Sequence, residues 1–415
     1  MVEDNPPLQR HIRTAIQTAL ADTPVVCVLG PRQVGKSTLV QHLSEDRVYL
    51  DMEEEALSGT ALDDPMGFVN GLPEHVTLDE VQRVASIMSA IKISVDRNRK
   101  PGRFLLTGSA NLLLLPQLTD SLAGRMELIR MHPLTESEKE GKPGKFLEWL
   151  MEGSMKMEIQ PSDPERDTEL VTRMLAGGFP EAFKRKPDRA RSWHRQYLET
   201  ILEKDVQDVA RIQDVEALSK LLKVLALQTG SLGNVSNLQR DLGISRPTID
   251  HYLSVLQRLY LIRRLPAWHS NESKKLIKTP KFHIPDSGMG GHLMNLRPDD
   301  WLTKRAKFGP LLESFVVQQL VALATWTDPD IQFHHYRDKD KVEVDCVMTV
   351  GSQVWGVEVK ASQSIKSEDA KGLRRLANLA GKNFSRGFVL YTGSNVVKLG
   401  DDRFWGVPIA KLWEM

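Results

Sequence analysis

The chain from residue 24 to residue 44 reads PVVCVLGPRQVGKSTLVQHLS. Its apolar first part predicts a strand, and its last part has the apolar spacing of a helix. The loop between them matches G-x-x-x-x-G-K-[ST], a pattern whose backbone N–H groups surround nucleotide phosphates, and the strand–loop–helix context argues against a chance turn. We therefore predict that ATP contacts Gly30, Pro31, Arg32, Gln33, Val34, Gly35, Lys36, Ser37 and Thr38. Lys36 is expected on the β- and γ-phosphates, and the Ser37 hydroxyl is expected on Mg²⁺.

Two carboxylates follow the later apolar run HVTL, at Asp79 and Glu80. In phosphoryl transfer one such acid holds Mg²⁺ and the other polarises the attacking water, which we predict for Asp79 and Glu80 respectively. Solvated acids at a strand end are the alternative. A third strand, RFLLTGS, places Thr107 and Ser109 at its carboxyl end, where a polar side chain can contact the γ-phosphate.

Arg125, in the segment SLAGR, is a candidate arginine finger. A rigid guanidinium stabilises the charge that develops on a transferred phosphoryl group, so the residue is predicted to be catalytic. A surface salt bridge explains the same arginine equally well. ATP would then lie between subunits of a ring, or between this chain and a partner, and we expect a homo-oligomer such as a hexameric ring.

Strand-like and helix-like patterns alternate over residues 10–130, which predicts an α/β unit of three layers. The expected strands are Pro24–Leu29, Arg47–Asp51, His75–Leu78, Arg103–Thr107 and Glu127–Met131. Breaks in pattern and composition predict four domains. They are a nucleotide-binding core at 1–132, a helical lid at 133–229, a helix-turn-helix module at 230–305 and a second α/β domain at 306–415.

Composition narrows the classes of partner and compartment. The 55 basic and 54 acidic residues leave a net charge of +1, so any DNA contact must come from a local basic patch. The two cysteines, Cys27 and Cys346, lie in apolar runs and are expected to be core thiols in a reducing cytoplasm. Neither a signal peptide nor an apolar run long enough to span a bilayer is evident, so we expect a cytoplasmic protein without a membrane segment.

Residues 234–256 read as two short helices around Gly243. Ser236 and Gln239 fit a capping box for the first helix, and Ser245 fits an N-cap for the second. Such a module predicts DNA binding, with a helical module for protein contacts as the alternative. The side chains expected to contact DNA are Arg246, Thr248 and His251, together with Lys274 and Lys275 of a basic wing at residues 274–281.

The carboxyl region contains a predicted hairpin, residues 341–361, with a turn at Gly351-Ser352. Counting from that turn puts four charged side chains on one face, namely Glu343, Asp345, Glu358 and Lys360, and four apolar ones on the other, namely Val344, Cys346, Val357 and Val359. Glu313 on a preceding helix could join the charged face. Carboxylates with a lysine suit Mg²⁺-assisted hydrolysis of phosphodiesters, and a cross-strand salt-bridge network is the alternative.

The chain resembles the prokaryotic AAA-type ATPases that carry a DUF4143 carboxyl region. The motifs that carry the resemblance are GPRQVGKST, LDEVQ, LLTGSA, SLAGR, PKFHIPDSG and EVD…EVK. The resemblance covers nearly the whole chain. It implies an AAA+ ATPase core, a winged helix and a domain similar to the PD-(D/E)XK nucleases, whose metal-site pattern falls on Glu313, Asp345, Glu358 and Lys360. Lys204-Asp205 stands where the family pattern has Arg-Asp.

Two functions follow from these patterns. The first is an ATP-driven machine that binds and remodels DNA, with branched DNA suggested by analogy to junction resolvases of the nuclease-like fold. The second is a nucleotide-dependent signalling switch, in which the winged helix and an inactive nuclease-like domain bind proteins. Stimulation of ATP hydrolysis by DNA separates the two, because only the machine requires it.

Overall fold

The computed structural model describes residues 8–109, 122, 124–161, 163, 165–206, 212, 214–270 and 279–415 of the 415-residue chain. The chain forms two compact units, residues 1–134 and residues 135–415. Both contain α/β structure, which confirms the predicted class.

The first unit is built on a parallel sheet whose strand order is β2-β3-β4-β1-β5. The strands are β1 Val25–Leu29, β2 Val48–Asp51, β3 Val76–Asp79, β4 Phe104–Gly108 and β5 Met126–Arg130, each within one residue of its predicted bounds. The helices are α1 Ile12–Asp22, α2 Lys36–Gln41, α3 Glu55–Asp63, α4 Pro65–Asn70 and α5 Ile87–Arg97, with a 3₁₀ turn at Val81–Val84. Since β1 is buried along its whole length, the loop after it begins at a fixed point at the carboxyl edge of the sheet.

The second unit begins with helices. They are α6 Glu136–Lys139, α7 Phe146–Glu152, α8 Arg166–Ala176, α9 Pro180–Phe183 and α10 Pro187–Thr200, which continues as the π-helical turn Ile201–Asp205. A buried ion-pair cluster links helices α6 and α8. Lys139 and Arg173 both pair with Glu136, whose side chain is almost fully buried. The segment is therefore fixed by ion pairs as well as by apolar packing.

Next comes a compact module, residues 215–283. It consists of α11 Val215–Leu227, β6 Ser231–Leu232, α12 Val235–Leu242, α13 Arg246–Arg258, β7 Arg263–Leu265 and β8 Lys281–His283. The three short strands form an antiparallel sheet in the order β6-β8-β7. Ser245 caps α13 as predicted, by accepting the Thr248 N–H at 3.3 Å.

The start of α12 corrects one detail of the sequence analysis. The side chain of Asn234, and not that of Ser236, accepts the first free N–H groups of the helix, so the predicted capping box is absent there. An asparagine is as good an N-cap as a serine, and the chain uses the one that lies two residues earlier. The turn residue is as predicted: Gly243 has a φ of 68°, which a residue with a Cβ adopts at a cost.

The carboxyl region contains a mixed sheet of order β13-β14-β12-β11-β10-β9. Its strands are β9 Gln332–Arg337, β10 Glu343–Val350, β11 Gln353–Lys360, β12 Phe384–Tyr391, β13 Val397–Lys398 and β14 Phe404–Pro408. The helices are α14 Ser287–Leu293, α15 Asp300–Thr303, α16 Arg305–Thr327, α17 Lys371–Ala380 and α18 Lys411–Glu414, with 3₁₀ turns at Ser367–Ala370 and Gly381–Asn383. Separate apolar cores cover the two faces of the sheet, one including α16 and the other α17.

The predicted hairpin is present, and Val350 pairs with Gln353 across its turn. The predicted alternation fails at one point: Val344 packs in the core beside α17, whereas Cys346 packs in the core beside α16. A β-bulge between Val344 and Val347, where β10 pairs with β9, reverses the alternation. The hydrophobic pattern does not predict this bulge, because Val344 before it and Val347 after it are both apolar.

Both cysteines are free and buried, as expected. The expectation that no segment could span a bilayer needs correction. Helix α16 is long and apolar enough to pass that test by length and composition, but most of its apolar stretch is buried inside the protein. Burial of this kind is typical of a core helix, so the helix is weak support for a membrane segment.

Candidate functional site

The predicted phosphate loop lies directly between β1 and α2. Gly35, the residue before α2, has a φ of 95°. A Cβ on Gly30 would collide with the carbonyl oxygen of Met131, the residue after β5, so this glycine allows close approach of two backbones. The glycines of the motif are thus required by the path of the loop itself.

Lys36 is buried, and its ammonium donates to the carbonyl oxygens of Gly30 at 3.2 Å and Pro31 at 3.0 Å. Burial lowers the pKa of Lys36, while the nearby carboxylates of Glu80 and Asp79 act in the opposite direction. The ammonium is therefore inside the loop, where its charge is poorly solvated and can attract an anion.

Asp79 ends β3 and is held by two hydroxyl groups from neighbouring strands. Tyr49 of β2 donates its phenol O–H to Asp79 Oδ2 at 2.6 Å, and Thr107 of β4 donates to Oδ1. The same Thr107 hydroxyl accepts the backbone N–H of Glu80 at 3.2 Å. One threonine thus positions both predicted catalytic acids, and Asp79 is almost fully buried.

Glu80 follows in a left-handed conformation, with a φ of 53° and a ψ of 44°. Its carboxylate accepts a hydrogen bond from the side-chain amide of Gln82. A non-glycine residue in this region is uncommon and often lies at a functional site. The partners of the two carboxylates differ, since Glu80 is bonded by Gln82 and Asp79 by Tyr49 and Thr107.

These residues fit a nucleotide with Mg²⁺. Ser109, one residue beyond β4, is buried, and its hydroxyl has no hydrogen-bond partner within the described part of the chain. This hydroxyl follows β4, the strand between β3, which ends in Asp79, and β1, which precedes the phosphate loop. An orphaned buried hydroxyl there suits a polar ligand better than an apolar one. The predicted ligands of Mg²⁺, Ser37 and Asp79, lie at the ends of adjoining elements on the same edge of the sheet.

Arg125 lies at the amino end of β5, at the end of the sheet opposite the phosphate loop. It precedes Met126, which pairs with Val25 at the start of β1, so the length of a strand, about 13 Å, separates it from the phosphate loop. Its guanidinium pairs with Asp96 at 2.6 Å and holds the pKa of that carboxyl below its usual range. Arg125 therefore cannot reach the phosphate loop of its own subunit, and its predicted role depends on a second subunit.

In the second unit, the predicted acidic residues do come together, but around Lys281, which the sequence pattern had placed in the basic wing. The side chain of Lys281, on β8, is 2% exposed. Its ammonium lies 2.9 Å from Glu313 Oε1 and 3.2 Å from Asp345 Oδ1, with Glu343 at 3.6 Å. Burial alone would lower the pKa of Lys281, yet Asp345 and Glu313 outweigh it and raise the value, so the ammonium stays charged.

The other two residues of the predicted metal site, Glu358 and Lys360, bond to each other. The Lys360 ammonium donates to Glu358 Oε1 at 2.8 Å. Burial and the nearby Asp345 raise the pKa of Glu358 to about 8, against the opposing effect of Lys360. The described residues contain no group of three or more His, Cys, Asp or Glu side chains arranged for a metal ion. As arranged, Glu313, Asp345 and Glu358 do not fit a Mg²⁺ site, because an ammonium already bonds two of them.

The predicted DNA-contacting residues of α13 are placed as follows. Arg246 and His251 are exposed and Thr248 is half-buried, while Ile249, Leu253 and Leu256 are buried as the pattern predicted. Arg246 lies 3.7 Å from Asp250, one turn further along the helix. Lys274 and Lys275 lie outside the described residues.

Sequence reasoning missed two residues at these sites. Tyr49 lies in a strand that the pattern placed correctly, but only the sheet order puts β2 beside β3. Lys281 lies in the motif PKFHIPDSG and begins β8, but its contacts with α16 and β10 join residues that are far apart in the chain. Nothing in the sequence indicates the partners of either residue.

Family models match three parts of the chain: an AAA domain at residues 22–139, a domain of unknown function (DUF8612) at 167–300 and a second one (DUF4143) at 308–412. With the phosphate loop and the acids at the end of β3 in place, residues 22–139 are an AAA-type P-loop ATPase domain. In the same chain, residues 308–412 are a DUF4143 region.

Relatives include the uncharacterized protein Rv2008c of Mycobacterium tuberculosis, 28% identical over 86% of this chain and 74% of its own length. The uncharacterized protein MJ1544 of Methanocaldococcus jannaschii is 24% identical over 60% of this chain and 58% of its own length. Among solved structures, the Walker-type ATPase PABY2304 of Pyrococcus abyssi aligns with a TM-score of 0.44 at 16% identity, over 70% of this chain and 98% of that one. A RuvB variant of Thermotoga maritima aligns with a TM-score of 0.30 at 17% identity, over 62% and 90% of the two chains.

Proposed function

We propose that the protein is an ATP-hydrolysing motor that binds and remodels DNA, with branched DNA as the favoured substrate class. The observation that supports hydrolysis best is the contact of Thr107 with both acids, Asp79 through its side chain and Glu80 through its backbone. This contact fixes the carboxylate of Asp79 and the backbone of Glu80 at the carboxyl edge that also carries the phosphate loop.

The roles of the residues follow from their chemistry. Lys36 exchanges its two carbonyl partners for phosphate oxygens, which carry more negative charge and compensate its burial better. Ser37 and Asp79 would hold Mg²⁺, which when bound neutralises charge on the β- and γ-phosphates. Glu80 polarises the attacking water, and Ser109 donates to the γ-phosphate.

DNA binding is inferred from the module at 215–283. The order helix–strand–helix–helix–strand–strand, with a sheet of order β6-β8-β7, supports the proposal that this module is a winged helix. In this inference α13 is the recognition helix, with Arg246, Thr248 and His251 towards DNA, and Lys274 and Lys275 contact the phosphate backbone. The resemblance to the nuclease fold motivates the branched substrate and is an analogy.

The inferred assembly is a homo-oligomer, such as a hexameric ring, in which Arg125 reaches the nucleotide of a neighbouring subunit. The position of Arg125 supports this assembly. It lies at the end of the sheet opposite the phosphate loop, where it could contact the nucleotide of a neighbouring subunit but not that of its own. The ion pair with Asp96 would have to open for that role.

One observation favours the second candidate, a nucleotide-dependent switch that binds proteins. The face of α13 carries Asp250 beside Arg246, so its positive charge is partly cancelled at the point where DNA would dock. The deciding experiment measures the ATPase rate of the full chain alone and with duplex, single-stranded, forked and four-way-junction DNA. A motor is expected to respond to at least one of these, most strongly to the branched forms, whereas equal rates with and without every DNA would support the switch.

A further inference from the structure

The metal-site pattern of the carboxyl region encloses a fixed internal cation. Lys281 belongs to β8, the central strand of the three-stranded sheet, and is paired on one side with Leu232 and on the other with Leu265. Its side chain leaves that sheet and ends among carboxylates of α16 and β10, with 2% of its surface exposed. Pairing on both sides fixes the backbone of this lysine, and burial and ion pairs hold its side chain.

We propose that the ammonium of Lys281 takes the place of the divalent metal ion in the nuclease-like cluster. The carboxyl domain is then a platform that holds the winged-helix-like module, and it is not a metal-dependent nuclease. This inference concerns the carboxyl region and does not depend on whether ATP hydrolysis responds to DNA.

Geometry makes the two cations mutually exclusive. A Mg²⁺ ion requires oxygen ligands at about 2.0–2.1 Å in an octahedral arrangement. An ion bound to both Glu313 and Asp345 would lie within the space of an ammonium that is 2.9 Å and 3.2 Å from the same two carboxylates. Two cations that close together in a buried site repel strongly. Asp345 is further committed through Oδ2, which accepts the Val359 N–H at 2.9 Å.

The charges around the cluster are compatible with a monovalent cation. Glu343 also pairs with Arg337, and Glu358 pairs with Lys360, so two of the four acids have cations of their own. Glu313 and Asp345 are left to share the single positive charge of Lys281, at 2.9 Å and 3.2 Å from its ammonium. The imidazole of His283, which lies 3.8 Å from Glu313, has a pKa lowered by burial and by Lys281, and it therefore stays neutral.

The same contacts join two parts of the second unit. Further bonds lie at this junction: Trp268 donates its N–H to the His335 carbonyl at 2.6 Å, and the Pro266 carbonyl accepts the His335 N–H at 2.9 Å. His283 Nδ1 lies 3.0 Å from the hydroxyl of Ser314 on α16. Lys281 is thus the charged centre of an interface whose surroundings are also hydrogen-bonded, as expected of a permanent joint.

The test uses the nucleotide-free full chain and Mn²⁺, whose free form gives an electron paramagnetic resonance signal. Wild type and Asp345→Asn are titrated in parallel, and we expect the same number of bound ions in both. One additional equivalent bound by wild type and lost in Asp345→Asn would overturn the proposal. So would cleavage of DNA by wild type with Mn²⁺ that Asp345→Asn abolishes.

A second arm tests the joint itself. Lys281→Met is expected to lower the thermal midpoint by about 5–10 °C, because it leaves buried carboxylates without a cation. Lys142→Met, at an exposed position of the same unit, is the matched control and should leave the midpoint unchanged. A double-mutant cycle of Lys281→Met with Asp345→Asn should give a combined shift well below the sum of the two. Additive shifts, or no shift in Lys281→Met, would contradict a joint centred on this lysine.

Discussion

Tyr49 donates its phenol O–H to the carboxylate of Asp79 at 2.6 Å, from one strand to the next strand of the parallel sheet. Burial and this hydrogen bond both raise the pKa of Tyr49, so the phenol stays protonated and remains a donor. The bond fixes one carboxylate oxygen of Asp79, and Thr107 fixes the other. An acid held at both oxygens keeps its orientation whether or not a metal ion is bound.

Removing the phenol oxygen tests this relationship. Tyr49→Phe should raise the Mg²⁺ concentration needed for half-maximal ATP hydrolysis by about 10-fold, because groups that orient a metal ligand contribute on this scale. Saturating Mg²⁺ should restore most of the rate. A loss that excess Mg²⁺ does not reverse would instead indicate a fault in folding or in the chemical step.

Lys36→Ala and Glu80→Gln should separate binding from turnover. Lys36→Ala is expected to lose nucleotide binding, because no other group described near the loop brings an ammonium to the phosphates. Glu80→Gln should bind ATP with nearly normal affinity yet hydrolyse it at least about 100-fold more slowly, since only the water-polarising carboxylate is gone. Equilibrium binding of a fluorescent ATP analogue and a phosphate-release assay measure the two effects. Equal loss of binding in both variants would refute the assigned roles.

The sequence contained enough to predict the phosphate loop, the strands around it and the hairpin of β10 and β11, because each depends on a local pattern. The loop needs glycines at set positions, and Val350 meets Gln353 because a two-residue turn allows no other register. The positions of Asp79 and Glu80 were predictable for the same reason. They come at the end of a buried strand, and the end of such a strand lies at the edge of the sheet.

The bulge, the Arg125–Asp96 pair and Lys281 could not be predicted, because each depends on contacts between residues far apart in the chain. Lys281 is 32 positions from Glu313 and 64 from Asp345. A cluster of carboxylates has the same sequence pattern whether its cation is a metal ion or an internal ammonium. Only the three-dimensional structure distinguishes the two.

Arg125 can be tested by mixing inactive subunits. Arg125→Ala should hydrolyse ATP slowly, and mixing it with Lys36→Ala should restore part of the rate, since some interfaces then join an intact Arg125 to an intact phosphate loop. Asp96→Asn is the control: it removes the ion-pair partner and keeps the guanidinium, so it should stay active. If Asp96→Asn and Arg125→Ala lose the same activity and mixing restores none, Arg125 is a structural residue.

Glu358 should make stability depend on pH. Its folded-state pKa is raised from 4.5 to about 8, so the native protein binds this proton more tightly than the unfolded chain does. The stabilisation is complete below the unfolded pKa and is lost as the pH rises towards 8, at no more than about 1.4 kcal/mol per pH unit. Urea unfolding from about pH 5 to about pH 8 should show this slope in wild type and in the exposed control Glu368→Gln, and a flatter one in Glu358→Gln. Equal slopes in all three proteins would exclude Glu358 as the source.

Arg246 and Asp250 provide a pair of opposite predictions for DNA binding. They are neighbours on α13, with 67% and 57% of their side chains exposed, so either change leaves the core of the module intact. Arg246→Ala should weaken binding and lower the slope of log affinity against log salt by about one, because one phosphate contact is lost. Asp250→Asn should strengthen binding, because it removes a negative charge that faces the phosphates and frees the arginine.

Lys220→Ala on α11 is the matched control, since Lys220 has the same kind of pairing, with Glu216 at 2.7 Å, on a helix that is not expected to enter the groove. Fluorescence anisotropy with a labelled junction across a salt series measures all three. If the three variants bind as wild type does at every salt concentration, α13 faces a protein partner and the switch becomes the better account of the chain.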